Sequence, residues 1–251
     1  DALSYPRGVL VTLLGGAWTL FMSVVVVFFA SLIRHRGFID ALIIRLWSLP
    51  LIRAAGIRVH RRGAENVNAR AEGCLILFNH SSLMDIPILY AYFPRSFRFG
   101  AKIELFKIPF FGWAMRVCGV LPIDRRNRNR VMKVYQEAID RVKCGESFAL
   151  APEGTRQNDP ILGKFKRGPF EFAINAGMDI VPVVLAGAFE VIPRSSIWVN
   201  QGRWRRDVLM QITPAVPARE YTPEQVERLQ ERVRAQMSIV HDQLQAELKG
   251  L

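Results

Sequence analysis

The chain has 251 residues, half of them apolar, and a net charge of +12 at pH 7. Disordered chains have low hydrophobicity, so this composition excludes that class. Its three cysteines lack paired spacing, which excludes a disulfide-rich scaffold and a cysteine-based zinc site. The length fits one medium domain with an accessory segment. High charge combined with high apolar content favours an anionic membrane over a nucleic acid as the partner.

Residues 1–56 are predicted to form a two-helix membrane anchor. From Gly8 to Ile33 there are 26 residues without a charge. A helix of that length reaches about 39 Å, whereas bilayer hydrocarbon is about 30 Å thick. The run is too long for a signal peptide, and a buried core helix is the alternative. Arg34 and Arg36 follow it and predict an inner-membrane protein whose remainder faces the cytoplasm. The charged apolar stretch Phe38–Ala55 fits a helix in the headgroup layer, and a hairpin within one leaflet is equally compatible.

Residues 57–251 are predicted to form one α/β catalytic domain. Helical patterns alternate with short apolar runs, which favours a mixed, largely parallel sheet covered by helices. The predicted strands are Ile57–His60, Cys74–Asn79, Phe97–Ala101, Phe148–Ala151, Ile180–Ala186 and Val208–Thr213. The predicted helices are Ser82–Tyr92, Phe110–Cys118, Arg130–Cys144, Pro169–Ala176 and a last one from Thr222 to about Leu248.

The first chemical signal is the segment Asn79–Asp85, where a predicted strand ends and a helix begins. Sites in α/β sheets usually lie at such ends. The carboxylate of Asp85 can fold back onto the His80 imidazole, fix its tautomer and make the other nitrogen a better base. A pair of this kind without a protein nucleophile suits direct acyl transfer to an alcohol. The alternatives are a surface histidine beside a capped helix and, less favoured, a two-residue metal site.

Two further segments offer groups that bind anions. In Pro152–Arg156, the glycine allows close backbone approach, and the threonine and arginine can donate to phosphate. A turn with a solvated arginine is the alternative. The segment Gly119–Asp124 leads into a basic run that consists of Arg125, Arg126, Arg128 and Arg130. An anionic headgroup, an acidic carrier protein or solubility would each account for that run.

In chain order, these segments resemble the motifs of a known enzyme family. The His-x4-Asp pair, Gly119–Arg125, Pro152–Arg156 and Ile180–Val184 are similar to the four motifs of the 1-acyl-sn-glycerol-3-phosphate acyltransferases, the PlsC-like glycerolipid acyltransferases. The linker Ala101–Trp113 resembles the family's segment between its first two motifs. The resemblance covers about residues 57–190. A single His-x4-Asp is a weak signal, whereas the ordered set is specific.

The resemblance implies a role for each matched residue. His80 would be the general base and Asp85 would orient it. The residues implied to bind the phosphate and glycerol of the acceptor are Lys102, Arg125, Glu153, Gly154, Thr155 and Arg156. Pro182 would shape the acyl-donor side of the site, and a proline at a strand edge is the alternative. For Lys102, a solvated lysine without a ligand is as good an explanation as phosphate binding. The resemblance implies no cofactor and no metal.

The implied reaction moves a fatty acyl group from acyl-CoA or acyl carrier protein to lysophosphatidic acid. It would give phosphatidic acid at a membrane that contains anionic lipids, and it involves no nucleic acid. Four positions depart from the family pattern, namely Pro122, Ala151, Gln157 and Leu185. They lie near the implied substrate sites, so lyso-ornithine lipid or another lysophospholipid is an alternative acceptor. A non-catalytic lipid-binding protein is a further alternative, but it would not need the His80–Asp85 pair.

Overall fold

A computed structural model of the chain describes residues 4–33, 36–67, 73–199 and 203–250. The helices are α1 (Ser4–Leu32), α2 (Arg36–Leu42), α3 (Leu49–Ala54), α4 (Asp85–Tyr92), α5 (Phe111–Val117), α6 (Arg128–Lys143), α7 (Gly168–Ala176) and α8 (Val226–Leu248). The strands are β1 (Ile57–Arg62), β2 (Cys74–Phe78), β3 (Arg98–Lys102), β4 (Leu121–Ile123), β5 (Phe148–Leu150), β6 (Asp179–Ala186), β7 (Arg206–Ile212) and β8 (Val216–Pro217).

The strands form one mixed sheet in the order β1-β7-β6-β2-β5-β3-β4, and β8 pairs with β6. Strands β6, β2, β5, β3 and β4 run parallel to one another. Strand β7 is antiparallel to β6, and β1 is parallel to β7. The predicted mixed, largely parallel sheet covered by helices is therefore confirmed.

Helices cover both faces of this sheet. Every residue of β2 is buried, as expected for a central strand whose apolar run is continuous rather than alternating. One apolar cluster joins the sheet to α6, α7 and α8 through side chains such as Phe172 and Val233. The other joins it to α3 and α4 through Ile52 and Ile88. The sheet is thus the middle of three layers. Because helices cover both of its faces, the loops lie at the ends of its strands.

The predicted strands agree with the structure to within two residues at each end. Two strands were not predicted, β4 and β8, because runs of three and two residues show no periodicity. Helix α4 begins at Asp85, later than the predicted Ser82. One 3₁₀ turn precedes α8, and it begins with a capping box that Thr222 and Gln225 form.

Helix α1 has 29 residues and is the one described helix that is long and apolar enough to cross a membrane, by length and composition. It also contacts the rest of the chain. Val26 is buried in a small cluster with Ile39 and Ala114, and the Thr12 hydroxyl accepts a hydrogen bond from the Val199 N–H at 3.0 Å. Much of its remaining apolar surface is exposed, including Leu13, Leu14, Phe21, Val24, Phe28 and Leu32.

The predicted second helix is present, but it is not uniform. Helices α2 and α3 flank a π-helical section at Ile43–Ser48. Of the two arginines expected to mark the cytoplasmic side, Arg34 lies outside the described residues, as does the side chain of Arg36. That part of the topology stays a prediction.

Candidate active site

The predicted site segments meet at one edge of the sheet. Strands β2, β5, β3 and β4 are adjacent and parallel, so their carboxyl ends lie side by side. His80 follows β2, Pro152–Arg156 follows β5, Lys102 ends β3, and Arg125 follows β4. This edge is where α/β sheets usually place ligand sites.

His80 and Asp85 form a short, oriented pair. The His80 Nδ1 atom lies 2.8 Å from Asp85 Oδ2. The same oxygen accepts the backbone N–H groups of Ser81 and Ser82, both at 2.8 Å. Because a carboxylate only accepts, Nδ1 carries the proton and Nε2 is left as an acceptor. Nε2 makes no hydrogen bond within the described part of the chain, and the His80 side chain is 13% exposed. The geometry leaves Nε2 as the ring nitrogen that is free to accept a proton.

The loop that carries His80 is held from both sides by buried groups. The Asn79 side chain donates to the Leu185 carbonyl at 2.8 Å and accepts the Leu185 N–H at 2.7 Å. It therefore continues the β2–β6 ladder beyond the last strand pair. The Ser82 hydroxyl donates to the Ile192 carbonyl at 3.1 Å. These bonds fix the backbone on which the imidazole sits.

Glu153 has a positioning role in this structure. The side chain is 3% exposed. One carboxylate oxygen accepts the His80 N–H at 2.8 Å and the other accepts the Gly163 N–H at 2.9 Å. Burial raises the pKa of Glu153 to about 7, against the opposing effect of the two N–H groups. Each oxygen therefore holds one backbone group, and the acceptor contact that the resemblance implies for Glu153 stays a prediction.

The turn after Glu153 brings Arg156 to the site. Gly154 has a φ of +75°, a left-handed conformation that side-chain-bearing residues rarely adopt. Thr155 is half-buried, and its hydroxyl is the group that could donate to an acceptor. The Nη1 atom of Arg156 is buried without a hydrogen-bond partner among the described residues. Burial lowers the pKa of Arg156, the charge of Arg194 lowers it further, and Asp85 opposes both effects.

Arg125 lies in the same electrostatic environment. Burial lowers the pKa of the Arg125 guanidinium, Glu104 opposes that shift, and Arg194 adds to it. Lys102 is exposed, and its Nζ atom lies 3.4 Å from Glu104 Oε1. The structure thus places the predicted cations at the same sheet edge as His80, and it adds Arg194, which the sequence did not predict. No local pattern singles out Arg194, because its position depends on how a distant loop folds back over β2.

Pro182 lies inside the sheet and not at a strand edge. It is buried in β6 opposite Leu77. Its carbonyl accepts both the N–H and the hydroxyl of Thr213, at 2.9 and 3.0 Å. It falls between the β6 residues that pair with β7 and those that pair with β8, so its missing N–H interrupts neither of these ladders. Its place on an acyl-donor side stays a prediction.

The described residues contain no group of three or more His, Cys, Asp or Glu side chains arranged to hold a metal ion. The three cysteines are free thiols. Burial raises the pKa of Cys118 to about 12 and that of Cys74 above its usual value. Neither thiol is therefore a thiolate near neutral pH.

A sequence model of the family described as Acyltransferase matches residues 58–186, just over half of the chain. The chain belongs to the acyltransferase family. The matched region of this acyltransferase-family chain contains His80, Asp85, Arg125, Arg156 and Pro182. Arg194 lies beyond the matched region.

Similar proteins agree with that membership. The chain is 31% identical over 194 residues to the "1-acyl-sn-glycerol-3-phosphate acyltransferase BAT2, chloroplastic" of Brassica napus, covering 76% of this chain and 56% of that protein. It is 31% identical over 185 residues to the 1-acyl-sn-glycerol-3-phosphate acyltransferase of Pseudomonas aeruginosa, covering 73% and 69%. The chain therefore spans little more than half the length of the Brassica relative.

A solved structure has the same fold over almost the whole chain. The crystal structure of the 1-acyl-sn-glycerophosphate (LPA) acyltransferase PlsC from Thermotoga maritima superposes with a TM-score of 0.79 at 27% identity. The superposition covers 96% of this chain and 97% of the Thermotoga chain. The PlsC-like resemblance deduced from the four motifs is confirmed.

Proposed function

We propose that the chain is a membrane-bound O-acyltransferase that acylates the sn-2 hydroxyl of lysophosphatidic acid and so produces phosphatidic acid. The observation that carries the proposal is an oriented His80–Asp85 pair at the same sheet edge as the unpaired guanidinium of Arg156. The first group activates an alcohol and the second fits a phosphate. Relatives from plants and bacteria whose names state this activity support it.

In the proposed reaction, His80 Nε2 takes the proton from the acceptor's sn-2 hydroxyl. The oxygen attacks the thioester carbonyl of acyl-CoA or acyl carrier protein and gives a tetrahedral oxyanion. Collapse of that oxyanion breaks the C–S bond, and the departing sulfur takes the proton from the imidazolium. The products are the ester and the free thiol, and His80 is neutral again. Asp85 holds the imidazole in the tautomer that each step needs.

The acceptor headgroup lies, in this proposal, between the carboxyl ends of β4 and β5. Arg125 and Arg156 bind the phosphate oxygens, because a guanidinium can donate two parallel hydrogen bonds to them. The Thr155 hydroxyl and the backbone at Gly154 face the glycerol. Lys102 adds a further positive charge at the end of β3, and Glu153 keeps the histidine loop in place.

Residues 1–56 serve as the membrane anchor and residues 57–251 as the catalytic domain. The exposed apolar surface of α1 supports the anchor, and the net charge of +12 favours anionic lipids. We place the enzyme at the inner membrane with its catalytic domain facing the cytoplasm.

The test measures acyl transfer by the detergent-solubilised protein. Lysophosphatidic acid and lyso-ornithine lipid are the acceptors, each with acyl-CoA and with acyl carrier protein. The wild type should acylate lysophosphatidic acid, and His80→Ala should lose that activity. His60→Ala is the matched control, because His60 also pairs with an aspartate, 2.7 Å from Asp207 Oδ1, but lies on β1.

Two outcomes would contradict parts of the proposal. Activity on lyso-ornithine lipid alone would keep His80 as the base and overturn the phosphate assignment of the arginines. An inactive but folded wild type that still binds lipid would point to the non-catalytic alternative.

A further inference from the structure

Arg194 lies in the loop after β6, beyond the residues that the family model matches. Its Nη1 atom donates to the Arg156 backbone carbonyl at 2.8 Å. The same loop is tied to the histidine loop, because Ile192 accepts the Ser82 hydroxyl. Arg194 is therefore held beside the turn that carries Arg156.

Three guanidiniums share this part of the molecule, those of Arg125, Arg156 and Arg194. The charge of Arg194 lowers the pKa of both other arginines, so Arg194 lies within electrostatic range of each of them. None of the three forms an ion pair in the described ranges, although Glu104 acts on the charge of Arg125 and Asp85 on that of Arg156. Two other arginines of the basic run are paired, since Arg128 contacts Glu171 and Arg130 contacts Asp124.

Like charges within range of one another repel, and an anion between them relieves that repulsion. The buried Nη1 atom of Arg156 has no hydrogen-bond partner among the described residues, so it is a free donor for such an anion. A phosphate monoester carries a charge of about −1.5 to −2 at neutral pH, whereas a diester carries one negative charge. A third guanidinium adds most to the binding of the more highly charged form.

We propose that Arg194 is a specificity-determining residue that binds the acceptor phosphate together with Arg125 and Arg156. It favours a phosphate monoester over a diester or a headgroup without phosphate. This inference rests on the proposed function, because it assigns the acceptor of that same site.

A purely structural role for Arg194 is the rival explanation, since it also braces the Arg156 carbonyl. Two variants separate the roles. Arg194→Gln keeps an N–H donor but removes the charge, whereas Arg194→Lys keeps both a donor and the charge. The matched control is Arg61→Gln, because the Arg61 Nη1 atom likewise donates to a backbone carbonyl, that of Tyr92 at 3.0 Å, far along the sheet on β1.

Binding is measured separately from turnover. Each variant is made in the His80→Ala chain, and the dissociation constant in one detergent is determined for lysophosphatidic acid and for its methyl phosphodiester. Arg194→Gln should weaken binding of the monoester by about tenfold and that of the diester by much less. Arg194→Lys should stay within about threefold of the parent, and Arg61→Gln should not differ from it.

The proposal is overturned if Arg194→Gln binds the monoester as tightly as the parent. It is also overturned if both ligands weaken equally, or if lysine is no better than glutamine, because either result indicates bracing of Arg156. Failure of the proposed function is a different result. In that case the chain with His80 intact does not acylate lysophosphatidic acid, while the binding assay still reports on Arg194.

Discussion

At the scale of single residues, one oxygen of Asp85 accepts three hydrogen bonds from the loop that precedes it, one from the His80 ring and two from the backbone. An asparagine at this position is neutral, so it no longer stabilises the imidazolium that forms when His80 takes a proton. Its amide group can also donate to Nδ1, which would leave the ring proton on Nε2 and remove the acceptor that the base needs. We expect Asp85→Asn to lower kcat by about a thousandfold or more, as in other sites where a carboxylate orients a histidine.

The matched control for Asp85→Asn is Asp207→Asn. It removes a histidine partner at a similar distance, 2.7 Å from His60, in a pair that lies outside the site. Steady-state kinetics of both variants with lysophosphatidic acid and acyl-CoA should show the loss only at Asp85. Similar activity in the two variants would show that the carboxylate does not orient the base.

Glu153 gives the molecule a dependence of stability on pH. Its pKa is about 7 in the folded chain and about 4.5 when exposed. The folded state therefore binds this proton more tightly than the unfolded state. The resulting contribution is full below about pH 4.5 and is lost as the pH rises through about 7. From pH 6 to pH 8 the wild type should lose about 1 kcal/mol from this group.

Glu153→Gln has no proton to release and should lack this part of the pH dependence. Urea denaturation of both proteins at pH 6 and pH 8 measures the difference. His241 has the opposite effect on stability, because burial lowers its pKa. Since both proteins contain His241, its effect cancels in the comparison. His241 favours unfolding as the pH falls below about 6.5. An equal pH effect in the variant would show that Glu153 does not titrate in this range.

At the scale of elements, the sequence predicted strands β2 and β6 well because their apolar runs are long and are buried on both faces. It located His80 and Arg156 at strand ends for the same reason. It could not locate β4, where three residues include Pro122, because pairing with β3 and not local propensity makes that strand. Nor could it orient Glu153 or find Arg194, since both depend on contacts between loops that are distant in sequence.

The packing of α1 gives a test at this scale. A Cβ on Gly8 would lie 2.2 Å from the Val199 carbonyl oxygen, whereas a Cβ on Gly16 would meet nothing within 4 Å. Both substitutions by alanine gain about 1 kcal/mol of helix propensity. Only in Gly8→Ala does the added methyl group clash with the Val199 carbonyl, so that helix α1 must move away from the catalytic domain. Such overpacking costs about 1–3 kcal/mol. The thermal midpoint in one detergent should therefore fall for Gly8→Ala and not for Gly16→Ala. A lower midpoint for both would indicate that α1 is not docked as described.

At the scale of the whole molecule, the proposed division at residue 56 does not separate two independent bodies. Ile52 of α3 is buried in the same cluster as Ile88 of α4. Arg98 at the start of β3 is buried and pairs with Asp40 of α2, whose other oxygen accepts the Ser96 hydroxyl. The anchor and the catalytic domain therefore share both an apolar core and a buried ion pair.

That ion pair predicts how strongly the two parts stabilise each other. Asp40→Ala leaves the Arg98 charge buried without its carboxylate, and breaking a buried pair from one side costs about 3–5 kcal/mol. The apparent free energy of unfolding from urea denaturation of the full chain in detergent should fall by that order. Glu247→Ala is the matched control, because it breaks the exposed pair with Arg62, and exposed pairs contribute little. If the two variants were equally stable, the Asp40–Arg98 pair would contribute nothing to the attachment of the anchor to the catalytic domain.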